Sequence, residues 1–122
     1  MKVKNGKTHK NRLQRRAGRT RIKLKKAALD AFSQKSIDAT TVEDITEKAD
    51  VGKGTLYQHF EDKDEIVVTL VQEAVEHLTE RMKIRERPHE TLEGILEHIL
   101  NTHYEFLIES REEFLLLSQG IP

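Results

Sequence analysis

The stretch from residue 40 to 60, TTVEDITEKADVGKGTLYQHF, limits what this chain can become more than any other. It holds two helical patterns split by Asp50-Val51-Gly52. Each is shorter than the roughly 12–15 residues below which an isolated helix is marginal in water. Both must therefore borrow stability by burying an apolar face: Val42, Ile45 and Ala49 from the first, Leu56 and Phe60 from the second. At the start, Thr40 has the spacing to cap the first pattern while Glu43 reaches back to it, a capping box. The string GKGT is not a phosphate-binding loop, because Gly52 and Gly54 flank a single lysine where that loop needs four residues between its glycines.

The surface on which these segments dock must also be helical. Leu24, Ala27, Ala28, Ala31 and Phe32 recur at three- and four-residue steps, which predicts a first helix ending near Gln34. Downstream, Ile66, Val67, Leu70, Val71, Ala74, Leu78 and Met82 predict a long helix from about Asp64 to Arg87, stopped by Pro88. A second stripe runs through Leu92, Ile95, Leu96, Ile99, Leu100, His103, Phe106 and Leu107, and REEFLLLSQGIP begins a third. No alternating strand pattern and no repeat is present, so the fold class is all-α. With 122 residues the chain has the size of one domain or one plus a fragment. It has no cysteine, no secretory leader and no apolar run near the roughly 20 residues of a membrane span, so a soluble, cytoplasmic protein is expected.

Net charge is zero, but it is unevenly distributed. Residues 1–26 carry 12 Lys and Arg and no acid, leaving 9 cations and all 21 acids for residues 27–122. A +12 segment precedes a −12 body. The expectation is a disordered basic arm over residues 1–20 that binds a polyanion, since unopposed like charges repel until something neutralises them.

A short helix, a glycine-containing turn and a second short helix make a helix-turn-helix, whose second member can lie in the major groove of DNA. Its outward positions would be Lys53, Thr55, Tyr57, Gln58 and His59, while Gly54 lets the backbone approach closely. By side-chain chemistry Lys53 suits guanine and Gln58 adenine.

Residues 22–66 resemble the N-terminal domain of the tetracycline-repressor (TetR) family of bacterial transcriptional regulators. The resemblance rests on Ala27-Ala28 with Phe32, TTVEDI, the turn at Val51, KGTLY, Phe60 and Lys63. It implies a three-helix DNA-binding head (residues 21–65), a helical ligand-binding and dimerisation domain of which residues 66–122 would be a part, and repression relieved by a small-molecule effector. It further implies a homodimer on double-stranded, pseudo-palindromic DNA. Thr41 and Lys63 correspond to phosphate contacts, and Lys53, Gly54, Thr55 and Tyr57 to recognition-helix contacts, with Tyr57 and His59 reaching the backbone. Three positions depart from the family pattern: Ser36 and Asp50 stand where glycine is usual, and Gly52 where serine often caps. The chain also ends within what would be the sixth helix, so it reads as truncated early in the ligand-binding domain.

Other constellations carry less. His77, His89, His98 and His103 suggest a metal at first, but 98 and 103 are five apart and do not share a helix face as an i, i+4 pair would, so no metal is expected, nor any cofactor. His103, on an apolar stripe, is a core residue or a weak candidate for the ligand pocket. Ser110 and Ser118 have no partnered base, and no enzyme is expected. Two rival readings remain: a non-specific polyanion-binding protein acting through its arm, and a truncated interaction module that pairs with a longer relative.

Overall fold

The computed structural model describes residues 2–84 and 91–120, with side chains described from residue 11 onward except at 84. Among these residues six helices follow one another: α1 (Lys2–Lys35), α2 (Val42–Ala49), α3 (Lys53–His59), α4 (Lys63–Ile84), α5 (Leu92–Glu109) and α6 (Arg111–Ser118). No strand occurs among the described residues, and none of their helices is long and apolar enough to cross a membrane. The expected arrest of α4 at Pro88, and His89, lie outside the described residues.

One apolar cluster organises the first half of the chain. Leu24, Ala28 and Phe32 from α1 meet Ile45 and Ala49 from α2, Leu56 and Phe60 from α3 and its end, and Ile66 and Leu70 from α4. Of the inward positions expected, Ile45, Ala49, Leu56, Phe60, Ile66, Leu70 and Ala74 are buried, whereas Val42, Val67, Val71, Leu78 and Met82 are half-buried. Leu116 of α6 enters the same cluster, so the last helix is built into the head rather than set apart from it.

Residues 2–20, expected as a disordered arm, are helical: α1 is continuous from Lys2 to Lys35. Lys, Arg, Gln, Leu and Ala favour helix, and the segment has no proline. Residues 21–35, packed on the core, supply the costly nucleus, after which each added turn needs only propagation.

The capping register also differs from expectation. Thr41, not Thr40, caps α2: its hydroxyl accepts from the Asp44 amide (3.1 Å), and Asp44 Oδ2 accepts from the Thr41 amide (2.9 Å). Thr40 is buried instead, and its hydroxyl donates to the Ser36 carbonyl at 2.7 Å. A buried hydroxyl must find a partner, and the end of α1 supplies one that the capping position does not.

The stripe on α5 is covered only at its end. Phe106 is buried, but Leu92, Leu96 and Leu100 are 71%, 50% and 68% exposed. His103 is exposed as well, its Nδ1 2.8 Å from the Ile99 carbonyl oxygen, so it is not a core residue. No described helix packs on that side of α5. Its spacing announces a buried face without saying which part is covered.

Ser36 and Asp50, the two positions where glycine was expected, have positive φ (90° and 56°). For a residue with a Cβ the left-handed region costs roughly 1–2 kcal/mol. Asp50 lies near its centre and is a common exception, whereas Ser36 lies well off it. Ser36→Gly is expected to raise stability by about 0.5–1 kcal/mol, part of the strain relief being offset by losing the bond from the Ala39 amide to Ser36 Oγ. A shift in urea midpoint at constant slope is the measurement.

Candidate nucleic-acid interface

The turn between α2 and α3 is closed by the backbone. With Asp50 left-handed, its amide donates to Glu47 and the Val51 amide reaches back to Thr46 (3.0 Å), which satisfies carbonyls at the end of α2. The chain then extends through Gly52, whose carbonyl accepts from the Thr55 and Leu56 amides to start α3. Gly52 offers no side-chain cap.

Burial divides α3 cleanly. Leu56 and the following Phe60 point into the core, while Lys53, Gly54, Tyr57 and Gln58 are exposed and Thr55 and His59 half-buried. Positions 53, 54, 57 and 58 lie on one face of a 3.6-residue helix, so the candidate contacts are brought together. Tyr57 is 51% exposed, which places an aromatic hydroxyl on the surface with no core role. A Cβ at Gly54 would meet nothing within 4 Å, so the protein itself does not require glycine there.

Three contacts hold this face, and the sequence alone gave no sign of them. The Arg21 guanidinium donates to the His59 carbonyl (3.0 Å) and lies 4.4 Å from the centre of the Phe60 ring, anchoring the end of α3 to α1. Lys53 is ion-paired with Glu43 of α2. Lys63, expected at a phosphate, donates to the Ile37 and Thr40 carbonyls at 2.9 and 3.1 Å, and so fixes the turn that presents Thr41. Thr41 is exposed, and its hydroxyl oxygen accepts the capping bond from the Asp44 amide. In sequence these pairs are 10 to 39 residues apart, with no periodicity to betray them.

The electrostatics follow from these contacts. The hydrogen bond from Lys53 holds the Glu43 carboxyl below its ordinary range, and the same contact raises Lys53. Asp44 is lowered chiefly by the Thr41 backbone amide. Among the described residues, no group of three or more His, Cys, Asp or Glu side chains stands together as a metal site.

A lowered carboxylate stabilises the fold above its unfolded pKa, and that contribution disappears as pH falls through the folded value. Thermal midpoints of the parent chain should therefore drop on acidification through and below the ordinary carboxylate range. Asp44→Asn should flatten that limb. Thr41→Ala should cost about 1 kcal/mol at neutral pH through the cap, whereas Thr41→Ser should cost little.

Comparison with known proteins gives this geometry a context. Residues 24–70 match the family described as bacterial regulatory proteins, tetR family. An uncharacterised HTH-type transcriptional regulator of Bacillus subtilis, YxbF, is 34% identical over 79 residues, covering 64% of this chain and 21% of the relative. The HTH-type transcriptional regulator TcmR of Streptomyces glaucescens is 31% identical over 90 residues, 71% of this chain and 40% of that protein. In fold, a TetR family transcriptional regulator from Chloroflexus aurantiacus superposes with a TM-score of 0.77 at 24% identity, over 85% of this chain and 48% of its own. A gamma-butyrolactone receptor (ArpA-like protein) follows at 0.70 and 25% identity, over 88% and 55%. The chain thus spans between a fifth and about half of the length of these relatives.

Proposed function

We propose, for a chain that belongs through residues 24–70 to the bacterial regulatory proteins of the tetR family, that it is a DNA-binding transcriptional regulator, a repressor that docks α3 in the major groove. The observation that carries the reading is the exposed face of Lys53, Gly54, Tyr57 and Gln58 opposite the buried Leu56 and Phe60. Lys53 and Gln58 have the donors to read base edges. Thr41, Tyr57 and His59 would fix register on phosphates. Lys63 would contribute through the turn it holds, and Thr55 from the flank of the helix. Two copies would place two such helices in successive grooves, with half-sites about one turn, ~34 Å, apart. A small-molecule effector in the body would lower affinity by binding the non-operator conformation better. Such a regulator would act in the cytoplasm, and no catalytic role is assigned to it.

The basic segment extends the footprint. Arg12, Arg15, Arg19, Lys23 and Lys26 recur at three- and four-residue steps along α1, all exposed and none ion-paired with another described residue. They form a cationic stripe about 21 Å long at 1.5 Å per residue. It suits the sugar-phosphate backbone, which carries one charge per about 3.4 Å on each strand.

Fluorescence anisotropy on duplexes tiled from the gene's own upstream region, against a scrambled duplex, tests the reading. A preference that persists as salt rises is expected; equal affinities collapsing together would favour the polyanion-binding alternative. Gly54→Ala separates fold from function: it should leave stability unchanged or raise it by up to about 1 kcal/mol yet weaken duplex binding about tenfold, roughly 1.4 kcal/mol. Tyr57→Ala should also weaken binding at unchanged stability. Replacing Arg12, Arg15 and Arg19 together with Gln should lower the slope of log K against log salt by up to about 2.7 without erasing the preference.

A further inference from the structure

Among the ion pairs of the described residues, Glu43 is the acid paired with the proposed base-reading helix. It stands in the first turn of α2, next to the capping Thr41; Asp44 completes the capping box, and the largest influence on the Glu43 carboxylate is its hydrogen bond with Lys53 rather than the contacts within its own helix. That carboxylate is paired with Lys53 Nζ at the start of α3, with the two side chains 55% and 53% exposed. Pairs as exposed as this contribute little to folding, so stability does not account for it. Nor does affinity, since a negative charge beside the duplex repels phosphates.

The geometry points to Glu43 as a positioning residue for sequence selectivity: its carboxylate holds the Lys53 ammonium off the phosphates and aims it across the exposed face of α3. This rests on the reading of α3 as the base-contacting helix. An ammonium has three donors. With one given to Glu43, two remain for a pair of acceptors such as guanine O6 and N7. The partial neutralisation weakens what a lysine otherwise does best, which is to bind any phosphate as a point charge. Loss of non-specific affinity is thereby converted into discrimination. The mutual pKa displacement of the two groups, Glu43 downward and Lys53 upward, agrees with a contact kept while both are charged.

The test is a double-mutant cycle of Glu43→Gln and Lys53→Met in the 122-residue chain, with anisotropy titrations on the preferred upstream duplex and its scrambled counterpart at several salt concentrations. Circular dichroism confirms that each variant folds. Glu43→Gln is expected to tighten the scrambled duplex about tenfold and the preferred one less. Its salt slope on the scrambled duplex should steepen by about 0.9, the equivalent of one phosphate contact. In the Lys53→Met background, Glu43→Gln should leave the preference ratio unchanged, because the two residues act as one unit. An unchanged ratio and slope in Glu43→Gln alone would overturn the proposal, and so would an equal change in the Lys53→Met background, which would make Glu43 a direct reader of a base donor such as cytosine N4. A parent chain that shows no preference at any salt removes the base-reading premise itself, an outcome distinct from a discriminating parent indifferent to Glu43.

Discussion

The structure depends on a shared apolar core that lets two helices of eight and seven residues exist at all. Neither α2 nor α3 would persist in isolation. Each is held because Ile45, Ala49, Leu56 and Phe60 bury their side chains against Leu24, Ala28 and Phe32 of α1. Every polar feature of the head follows from that burial. Once Leu56 and Phe60 are fixed inward, the rotation of α3 is fixed, and Lys53, Gly54, Tyr57 and Gln58 have nowhere to go but outward. The apolar half of a short helix determines what its polar half can touch.

Charge then sorts itself over this scaffold. The cations of residues 1–26 are carried on one helix, whereas the acids begin where α1 enters the core and continue through the rest of the chain. Several of them neutralise lysines at the joints between helices: Glu73 meets Lys25 at 2.6 Å and Asp30 meets Lys48 at 2.6 Å. In the ion pairs of the described residues, the basic stripe from Arg12 to Lys26 is left out. The opposed charges of the two segments therefore do not cancel locally, and a net charge of zero says little about the field near α1.

Much of this was legible in the sequence, and the reason is periodicity. The helices of the described residues, the buried Ile45, Ala49, Leu56, Phe60, Ile66 and Leu70, and the exposure of Lys53, Tyr57 and Gln58 follow from three- and four-residue spacing of apolar side chains, whereas Thr55 and His59, expected outward, are half-buried. What was not legible depends on distance along the chain or on competition between neighbours. Thr40 and Thr41 are chemically equivalent caps, and only the burial of Thr40 against the end of α1 decides between them. Arg21, Glu43 and Lys63 carry no local pattern, because their partners are Phe60, Lys53 and the carbonyls of Ile37 and Thr40. The α5 stripe misled in the other direction: its spacing is that of a buried face, but spacing cannot say whether a partner is present. The N-terminal segment was read from charge alone, while its helix is propagated from residues already packed.

The turn after α1 shows how these separate contacts form one mechanical unit. Ser36 holds a φ that a serine rarely adopts, and such strain persists only where surrounding structure over-determines it. Gln119, just beyond α6, supplies part of that determination: its Nε2 donates to the Phe32 carbonyl at 2.7 Å, and its Oε1 accepts from the Ile37 amide at 2.8 Å, so one side chain spans the strained residue from both sides. Lys63 from α4 binds the next carbonyls, and the hydroxyl of Thr40 closes the turn from within. Thr41 follows directly and begins α2. Elements from three parts of the chain thus converge on five residues, with Leu116 packed in the core beside them. Because the turn is strained and its restraints come from α4 and α6, its geometry is set by where those helices sit. Breaking the Gln119 contacts would leave the Ile37 amide without that partner, while the Phe32 carbonyl would keep its bond from the Ser36 amide.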